Sequence, residues 1–176
     1  MDQIKHAILV AQATGQIVQW LMSRVDFDKE RLDSREYMEE LGAEFGLSSV
    51  ESLRGHDDLY EAMKAKVAAH CEEKAATEIA AAIAAATLEV KAHKARVMYV
   101  HEQHELLMKH INDSTVDEDS KDFLDSIRGA AQKFHDDMVK LLQKRHRVGL
   151  LHCFTGHLVP EATAHQLADL YEIKPA

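Results

Sequence analysis

The sequence predicts an all-α protein, an elongated antiparallel helical bundle built on a long αα-hairpin with shorter flanking helices. Its 176 residues include only 7 Gly and 2 Pro, so few positions interrupt a helix. Apolar residues recur at alternating steps of three and four, which is the spacing of a helix face. Neither Gly nor Pro occurs between Asp58 and Ile111, and no stretch shows convincing β-strand alternation.

The first helix is predicted at 2–25, with Asp2 as its N-cap. Capping-box spacing predicts a second helix at 34–45 and a short helix ending at Gly55. We expect an apolar seam along the first helix, widened by Trp20 and Leu21, at Ile4, Ile8, Ala11, Gly15, Val18, Met22 and Val25.

A helix of more than fifty residues is predicted from Asp58 to about Ile111. The phase of its apolar residues changes near 72–76, where we expect a kink or a change of packing partner. The alanine-rich segment 75–87 has little side-chain bulk and should allow close approach of a second helix. The seam after this segment is predicted at Ile79, Ile83, Ala86, Val90, His93, Val97, Val100, His104, Leu107 and Ile111.

A polar turn at Asn112–Thr115 should connect this helix to an antiparallel return helix that continues to about Gly156. A last helix is predicted at 160–172, with Pro160 at its first position. The return helix should pack through Leu124, Ile127, Ala131, Phe134, Met138, Leu141 and Val148. We expect one helical domain with three parts, namely N-terminal short helices at 1–57, the long hairpin at 58–156 and a C-terminal helix at 157–176.

The formal net charge of −9 predicts no nucleic-acid partner, because phosphate contacts need clustered Lys and Arg. No apolar run approaches the length of a membrane span, and the N-terminal residues do not resemble a secretory signal. Two cysteines make no disulfide framework, so we expect a reduced, cytoplasmic chain without membrane contact.

The segment HEQHELLMKH at 101–110 raises the question of a metal site. Zinc proteases place two histidines at i and i+4, whereas His101 and His104 are three residues apart, so the protease interpretation fails. The set His101, His104 and Glu105 remains a weak metal candidate. No Glu is followed by His three residues later, which excludes the carboxylate di-iron pattern, and phosphate-loop and nucleophile-elbow motifs are absent from the sequence.

A second metal hypothesis rests on the two His-Cys dipeptides. With the hairpin turn centred at Ser114-Thr115, residue i should face residue 229 − i in the return helix. This count brings together His70, Cys71, Cys153 and His157, the ligand types of a structural zinc site. The competing interpretation, which we favour, is that both cysteines are core residues without metal.

These observations favour a non-enzymatic protein that works by protein–protein interaction, as an adaptor, a chaperone-like factor or a regulatory subunit. We expect it to associate with itself and with an unidentified protein. The predicted interaction seam comprises Val90, His93, Val97, Val100, His104 and Leu107. One alternative is a metal-binding bundle, either structural zinc or a metal-dependent hydrolase, and another is an acidic inhibitor or nucleic-acid mimic. Buried His93 and His104 should make the protein sensitive to acid.

Overall fold

A computed structural model describes residues 2–25, 36–37, 39–40, 56–114 and 120–173, with side chains described from residue 61 in the fourth range. Four helices follow one another in the order α1 (Gln3–Ser23), α2 (His56–Asp113), α3 (Lys121–Thr155) and α4 (Glu161–Tyr171). The described residues form no strand, and the prediction of an all-α helical bundle is confirmed.

The helix ends follow from local sequence signals. Asp2 caps α1 as predicted, since its carboxylate accepts hydrogen bonds from the backbone N–H groups of Ile4 and Lys5 at 3.1 and 3.2 Å. Pro160 was predicted as the first residue of α4 but is its N-cap, so the helix begins one residue later, at Glu161. The predicted helix at 34–45 is described only at 36–37 and 39–40, which are helical, and the short helix ending at Gly55 lies outside the described residues.

Helix α2 is continuous over 58 residues, which corresponds to about 87 Å. It passes through 72–76 without a break, but its surroundings change there. The buried residues before this point lie outside the main core cluster, whereas those from Ala75 onward belong to it. The buried line advances by steps of four, so it winds around the helix and meets different partners, through Met63, Val67, Cys71, Ala75 and Ile79.

Helices α2 and α3 form the predicted antiparallel hairpin, but the predicted register is wrong. Four hydrogen bonds across the hairpin join residues whose numbers add to 235 or 236 instead of 229, and the one beside the turn, from Arg128 to Asn112, joins residues that add to 240. The reason is the position of the turn, because α2 continues to Asp113 and α3 begins only at Lys121. The centre of the connection therefore lies about three residues later than Ser114-Thr115.

The main core cluster lies at one end of the hairpin, where α1 and α4 pack against α2 and α3. It contains several alanines with no exposed surface, which allows the close helix approach predicted for 75–87. We call this end the base: α1, α4 and residues 75–93 and 143–155 of the long helices. The larger side chains of its core include Leu9, Ile17, Ile79, Leu150, Phe154, Leu167 and Tyr171.

Polar contacts also join the helices of the base. The hydroxyl of Thr163 donates a hydrogen bond to the side-chain oxygen of Gln16 at 2.8 Å, which links α4 to α1. The guanidinium of Arg147 on α3 forms ion pairs with Asp169 at 2.7 Å and with Glu172 at 2.6 Å. The position of α4 is therefore specified by polar as well as apolar contacts.

The opposite end of the hairpin, which we call the tip, comprises residues 94–113 and 121–142. No described residue between 91 and 149 belongs to the main core cluster. In the tip, α2 and α3 pack mainly against each other, and the few residues that become buried there are Ile111, Ala131 and Leu142. In the part of the chain that the structure describes, two helices form the tip and four form the base.

The predicted helix faces are wrong in α1 and in part of α3. On α1 the buried residues are Leu9, Ala13 and Ile17, while Ile4 and Ile8 of the predicted seam are exposed. On α3 the predicted Ala131 is buried, but the predicted Phe134, Leu141 and Val148 are exposed, and the other buried positions are Leu142, His146, Leu150 and Phe154. The actual face is rotated by about one residue, because apolar residues occupy two adjacent faces of both helices.

Candidate functional site: two histidine clusters in the hairpin

Five histidines meet between the two long helices, and the hairpin register explains why. Three of them lie on α2 and two on α3, where the register aligns them as two groups. The inner cluster, at the base, consists of Glu89, Arg96, His93, Gln143 and His146. The outer cluster, at the tip, consists of His101, His104, Gln132, His135 and Asp136.

In the inner cluster, the imidazole rings of His93 and His146 are stacked. Their centroids are 4.1 Å apart and their planes differ by only 8°. The two side chains are 2% and 0% exposed, so this contact lies within the bundle. Sequence reasoning predicted a buried His93 at a seam position, and His93 is buried, but its partner His146 was missed.

The hydrogen bonds of the inner cluster assign a tautomer to each ring. His146 Nδ1 lies 3.3 Å from a carboxylate oxygen of Glu89, which only accepts, so Nδ1 donates. The amide nitrogen of Gln143 donates to the backbone carbonyl of Ile173, which leaves its amide oxygen to accept from His93. His93 Nδ1 and His146 Nε2 have no partner and carry lone pairs in the interior.

The surroundings of this stack lower the pKa of His93 on balance. Burial is the largest cause that lowers the His93 pKa, and the neighbouring His146 lowers it further, whereas Gln143 and Glu89 act in the opposite direction. Burial raises the pKa of Glu89, but hydrogen bonds from Arg96 and His146 and the charge of Arg96 outweigh it, so the net pKa is lowered. Glu89 therefore carries its charge against Arg96 at 3.1 Å.

The Glu89 side chain also packs against the backbone of α3. A Cβ atom added at Gly149 would lie 3.1 Å from Glu89 Cδ and 3.2 Å from its Cγ. A larger residue at 149 would therefore require the Glu89 side chain to move by a few tenths of an ångström. Gly149 borders the inner cluster, and the predicted seams did not include it.

The outer cluster contains three imidazoles that approach one another across the hairpin. His135 Nε2 lies 2.8 Å from His101 Nδ1, and the ring of His104 lies 4.5 Å from that of His135. His135 Nδ1 is 3.1 Å from a carboxylate oxygen of Asp136. The hydrogen bond from His135 is the largest cause that lowers the Asp136 pKa.

A chain of hydrogen bonds orients the outer cluster. The amide nitrogen of Gln132 donates to Asp136 at 2.9 Å, and its amide oxygen lies 3.2 Å from His104 Nε2. Because the Asp136 carboxylate accepts, His135 Nδ1 carries the proton, and His135 Nε2 is left with a lone pair that faces His101. His101 Nδ1 therefore donates to His135 Nε2 in this structure.

An apolar groove of 250 Å³ lies between α2 and α3 beside the outer cluster. The second half of the predicted interaction seam contributes Val100, His104 and Leu107 to its lining. Its α3 side consists of Ala131, Phe134, His135 and Met138. The first half of the predicted seam faces the molecule itself, since His93 is buried and Val90 and Val97 are half-buried.

The structure brings together two of the three predicted metal ligands of the tip. His101 and His104 belong to the outer cluster, whereas Glu105 is exposed on α2. His135, which is absent from the predicted set, is the residue that joins them. The signal that could have identified it is the His135-Asp136 doublet together with a turn centred near residue 118, which aligns His135 with His101.

The four residues of the second metal hypothesis do not follow the predicted geometry. His157 Nδ1 contacts Glu78 Oε2 at 2.9 Å, not the region of Glu72. With this register Cys153 lies opposite residue 82, about 16 Å along α2 from Cys71. His70 and Cys153 are half-buried, and Cys71 is buried.

Both thiols are free, and both have raised pKa values. Burial is the largest cause for each, and Glu89 adds to it at Cys153. A raised pKa disfavours the thiolate, which is the form that binds zinc. Within the described residues, no group of three or more His, Cys, Asp or Glu side chains is arranged to hold a metal ion.

Comparison with protein-family models, with curated proteins and with solved structures gives no match for this chain. Among the helices that the structure describes, none combines the length and the apolar character needed to cross a membrane.

Proposed function

We propose that the protein acts through protein–protein interaction at the tip of its hairpin, and that its first partner there is a second copy of itself. In this proposal the protein is a self-associating, non-enzymatic helical bundle that serves as an adaptor, a chaperone-like factor or a regulatory subunit. A cytoplasmic location belongs to the same proposal and is supported by the two free cysteines.

The observation that carries the proposal is a line of exposed apolar residues along α3. Its members are separated by eleven, seven and seven residues, so all of them lie on one face of the helix and span about 38 Å. Each is more than half exposed: Phe123, Phe134 and Leu141 lie in the tip, and Val148 lies in the adjoining part of the base. A repeat of seven is the spacing at which a second helix packs along a seam.

The apolar groove adds depth to this surface. Phe134 belongs both to the exposed line and to the groove, and Tyr99 and Leu107 of α2 border the same groove. Side chains from another helix can insert between these residues, as in recognition of an amphipathic helix by a groove. Contiguous exposed apolar surface of this kind is typical of interaction sites.

A second copy is supported by the number of helix layers. Among the described residues, four helices share a core in the base, whereas two form the tip, so within this part of the chain each long helix keeps an uncovered side at the tip. Two tips packed antiparallel would make four layers and place one exposed α3 line against the other in an isologous contact. The net charge of −9 opposes this association, which should therefore strengthen as salt increases.

Light scattering combined with small-angle scattering tests the proposal over a range of protein and salt concentrations. We expect an elongated dimer that dissociates in Phe134→Glu, because the new carboxylate would be buried in the contact. Leu88→Glu is the matched control, since Leu88 is 65% exposed in the base and Phe134 is 67% exposed in the tip. A wild-type chain that remains a compact monomer, or a dimer that Phe134→Glu leaves intact, would contradict the proposal.

The predicted alternatives remain predictions. A structural zinc site at the two His-Cys dipeptides lacks the expected register, as described above. A metal-dependent hydrolase or an acidic nucleic-acid mimic has support only from the residue types and the net charge, respectively.

A further inference from the structure

We propose that the outer cluster is a site for a transition-metal ion with tetragonal geometry, of the Cu²⁺ or Ni²⁺ class, in which His101 Nδ1 and His135 Nε2 are the two protein ligands. Water would fill the remaining coordination positions. Both ligands belong to one chain, and one of them, His135, also lines the groove of the proposed self-association.

The separation of the two ring nitrogens is close to that of two ligands of a tetragonal ion. Imidazole nitrogens bind such metals at about 2.0–2.1 Å, so two ligands at a right angle lie about 2.9 Å apart. His101 Nδ1 and His135 Nε2 are 2.8 Å apart. A tetrahedral ion needs a wider separation, about 3.3 Å, so this pair suits tetragonal ions better than Zn²⁺.

The second argument is the orientation of His135. Histidine ligands of metals commonly donate their other ring N–H to a carboxylate, which fixes the tautomer and raises the basicity of the binding nitrogen. Asp136 accepts this hydrogen bond from His135 at 3.1 Å, and Gln132 holds Asp136 at 2.9 Å. The lone pair of His135 Nε2 is thereby directed across the hairpin before any ion arrives.

Metal binding requires a tautomer change at His101 and a rotation of both rings, because the hydrogen bond now directs the lone pair of His135 Nε2 at His101 Nδ1. The proton on His101 Nδ1, which now lies between the two rings, is released to water, and a proton from water is taken up at His101 Nε2. Both rings stay neutral, the two nitrogens each present a lone pair to the ion, and no net proton is gained or lost. His101 is exposed on the surface of the tip, so water and the ion can reach it.

His104 lies beside this pair but has a different role in the described geometry. Its Nε2 is engaged with Gln132, and its ring stands 4.5 Å from that of His135. Two protein ligands therefore agree with the finding that no described group of three is arranged around one ion. His104 acts through Gln132 and Asp136 as a positioning residue for His135.

Calorimetric titration of the full chain, without an affinity tag, with CuCl₂ and separately with NiCl₂ tests the site. We expect one equivalent of Cu²⁺ per chain, with tighter binding of Cu²⁺ than of Ni²⁺. His135→Gln should remove this binding, and Asp136→Asn should weaken it about 10–100-fold because the orienting carboxylate is lost. His110→Gln changes an exposed histidine outside the cluster and should leave the titration unchanged.

Electron paramagnetic resonance of the Cu²⁺ complex provides a second readout. Nitrogen hyperfine structure should be present in the wild type and in His110→Gln, and it should be lost in His135→Gln. Circular dichroism identifies any variant that fails to fold, and Asp136→Asn, at an exposed position, then serves in place of His135→Gln. Absence of stoichiometric binding, or binding that both His135→Gln and Asp136→Asn leave unchanged, would overturn the proposal.

Discussion

The base and the tip of the hairpin contain the same two helices but differ in what surrounds them. In the base, α1 and α4 cover both helices, and small alanines and large side chains such as Phe154 share one core. In the tip, α2 and α3 pack mainly against each other, and the side chain of Phe134 is 67% exposed. The same kind of sequence pattern therefore stabilises the fold at one end and remains available for binding at the other.

The two histidine clusters differ in the same way as the base and the tip, one being enclosed and the other exposed. The inner cluster is enclosed, and two of its ring nitrogens have no hydrogen-bond partner, each of which costs about 1–3 kcal/mol when buried. The outer cluster has a complete chain of hydrogen bonds and reaches solvent. The base therefore contains two buried polar atoms without a hydrogen bond, whereas the tip presents a hydrogen-bonded cluster at the surface.

The largest expected difference between base and tip is seen by truncating one phenylalanine in each. Phe154→Ala should lower the free energy of unfolding by about 3–5 kcal/mol, because the side chain has no exposed surface and leaves a cavity. Phe134→Ala lies on the same helix and should cost less than about 0.5 kcal/mol in the monomer. Urea denaturation at several protein concentrations measures both.

Concentration dependence sharpens this test. If Phe134 lies in a dimer contact, its truncation cost should grow with protein concentration, whereas that of Phe154 should not. Equal costs for the two substitutions at every concentration would show that the tip is as well covered as the base.

A smaller effect is expected from adding bulk to the alanine-rich contact of the base. Ala82 has no exposed surface, so Ala82→Leu should destabilise the protein by about 1–3 kcal/mol through overpacking. Ala84 is exposed two residues further along the same helix, and Ala84→Leu is the matched control. Thermal unfolding of the two variants distinguishes them, and similar melting temperatures would mean that the helices are not closely packed at Ala82.

The smallest expected effect is a dependence of the stability of the base on pH. The folded-state pKa of His93 is lowered from its ordinary value of 6.5, mainly by burial, while the unfolded chain titrates near that value. Stability from this group is therefore fully present above about pH 6.5 and is lost as pH falls below it toward the folded-state pKa. The groups that face His93 are His146, Gln143, Glu89 and Arg96.

Melting temperatures measured between about pH 7 and pH 5 should fall in the wild type and fall less in His93→Leu. His110→Gln, which changes an exposed histidine, should retain the wild-type response. Glu89 contributes separately at lower pH, because its pKa is lowered from 4.5 and its stabilising charge is lost only below that value. A wild-type curve as flat as that of His93→Leu would mean that His93 does not titrate with unfolding.

Several residues of the site could be predicted from the sequence, but their arrangement across the two helices could not. The sequence indicated that His93 is buried and that His101 and His104 belong together, because their helical positions are local properties. It did not indicate His135 or His146, because both depend on a register set by where the turn lies. An error of about three residues in the turn centre moves every cross-helix pair by six or seven residues.

The sequence by itself determined the α-helical class and the pairing of two long helices in an antiparallel hairpin. Capping by Asp2, the Gly- and Pro-free stretch before Asp113 and the start of α4 after Pro160 are all decided within a few residues of chain. Only the tertiary structure decided which faces are buried and which residues meet. Apolar residues occupy adjacent faces, as at Ile8 and Leu9, and the free energy of burying either depends on the partner helix that covers it.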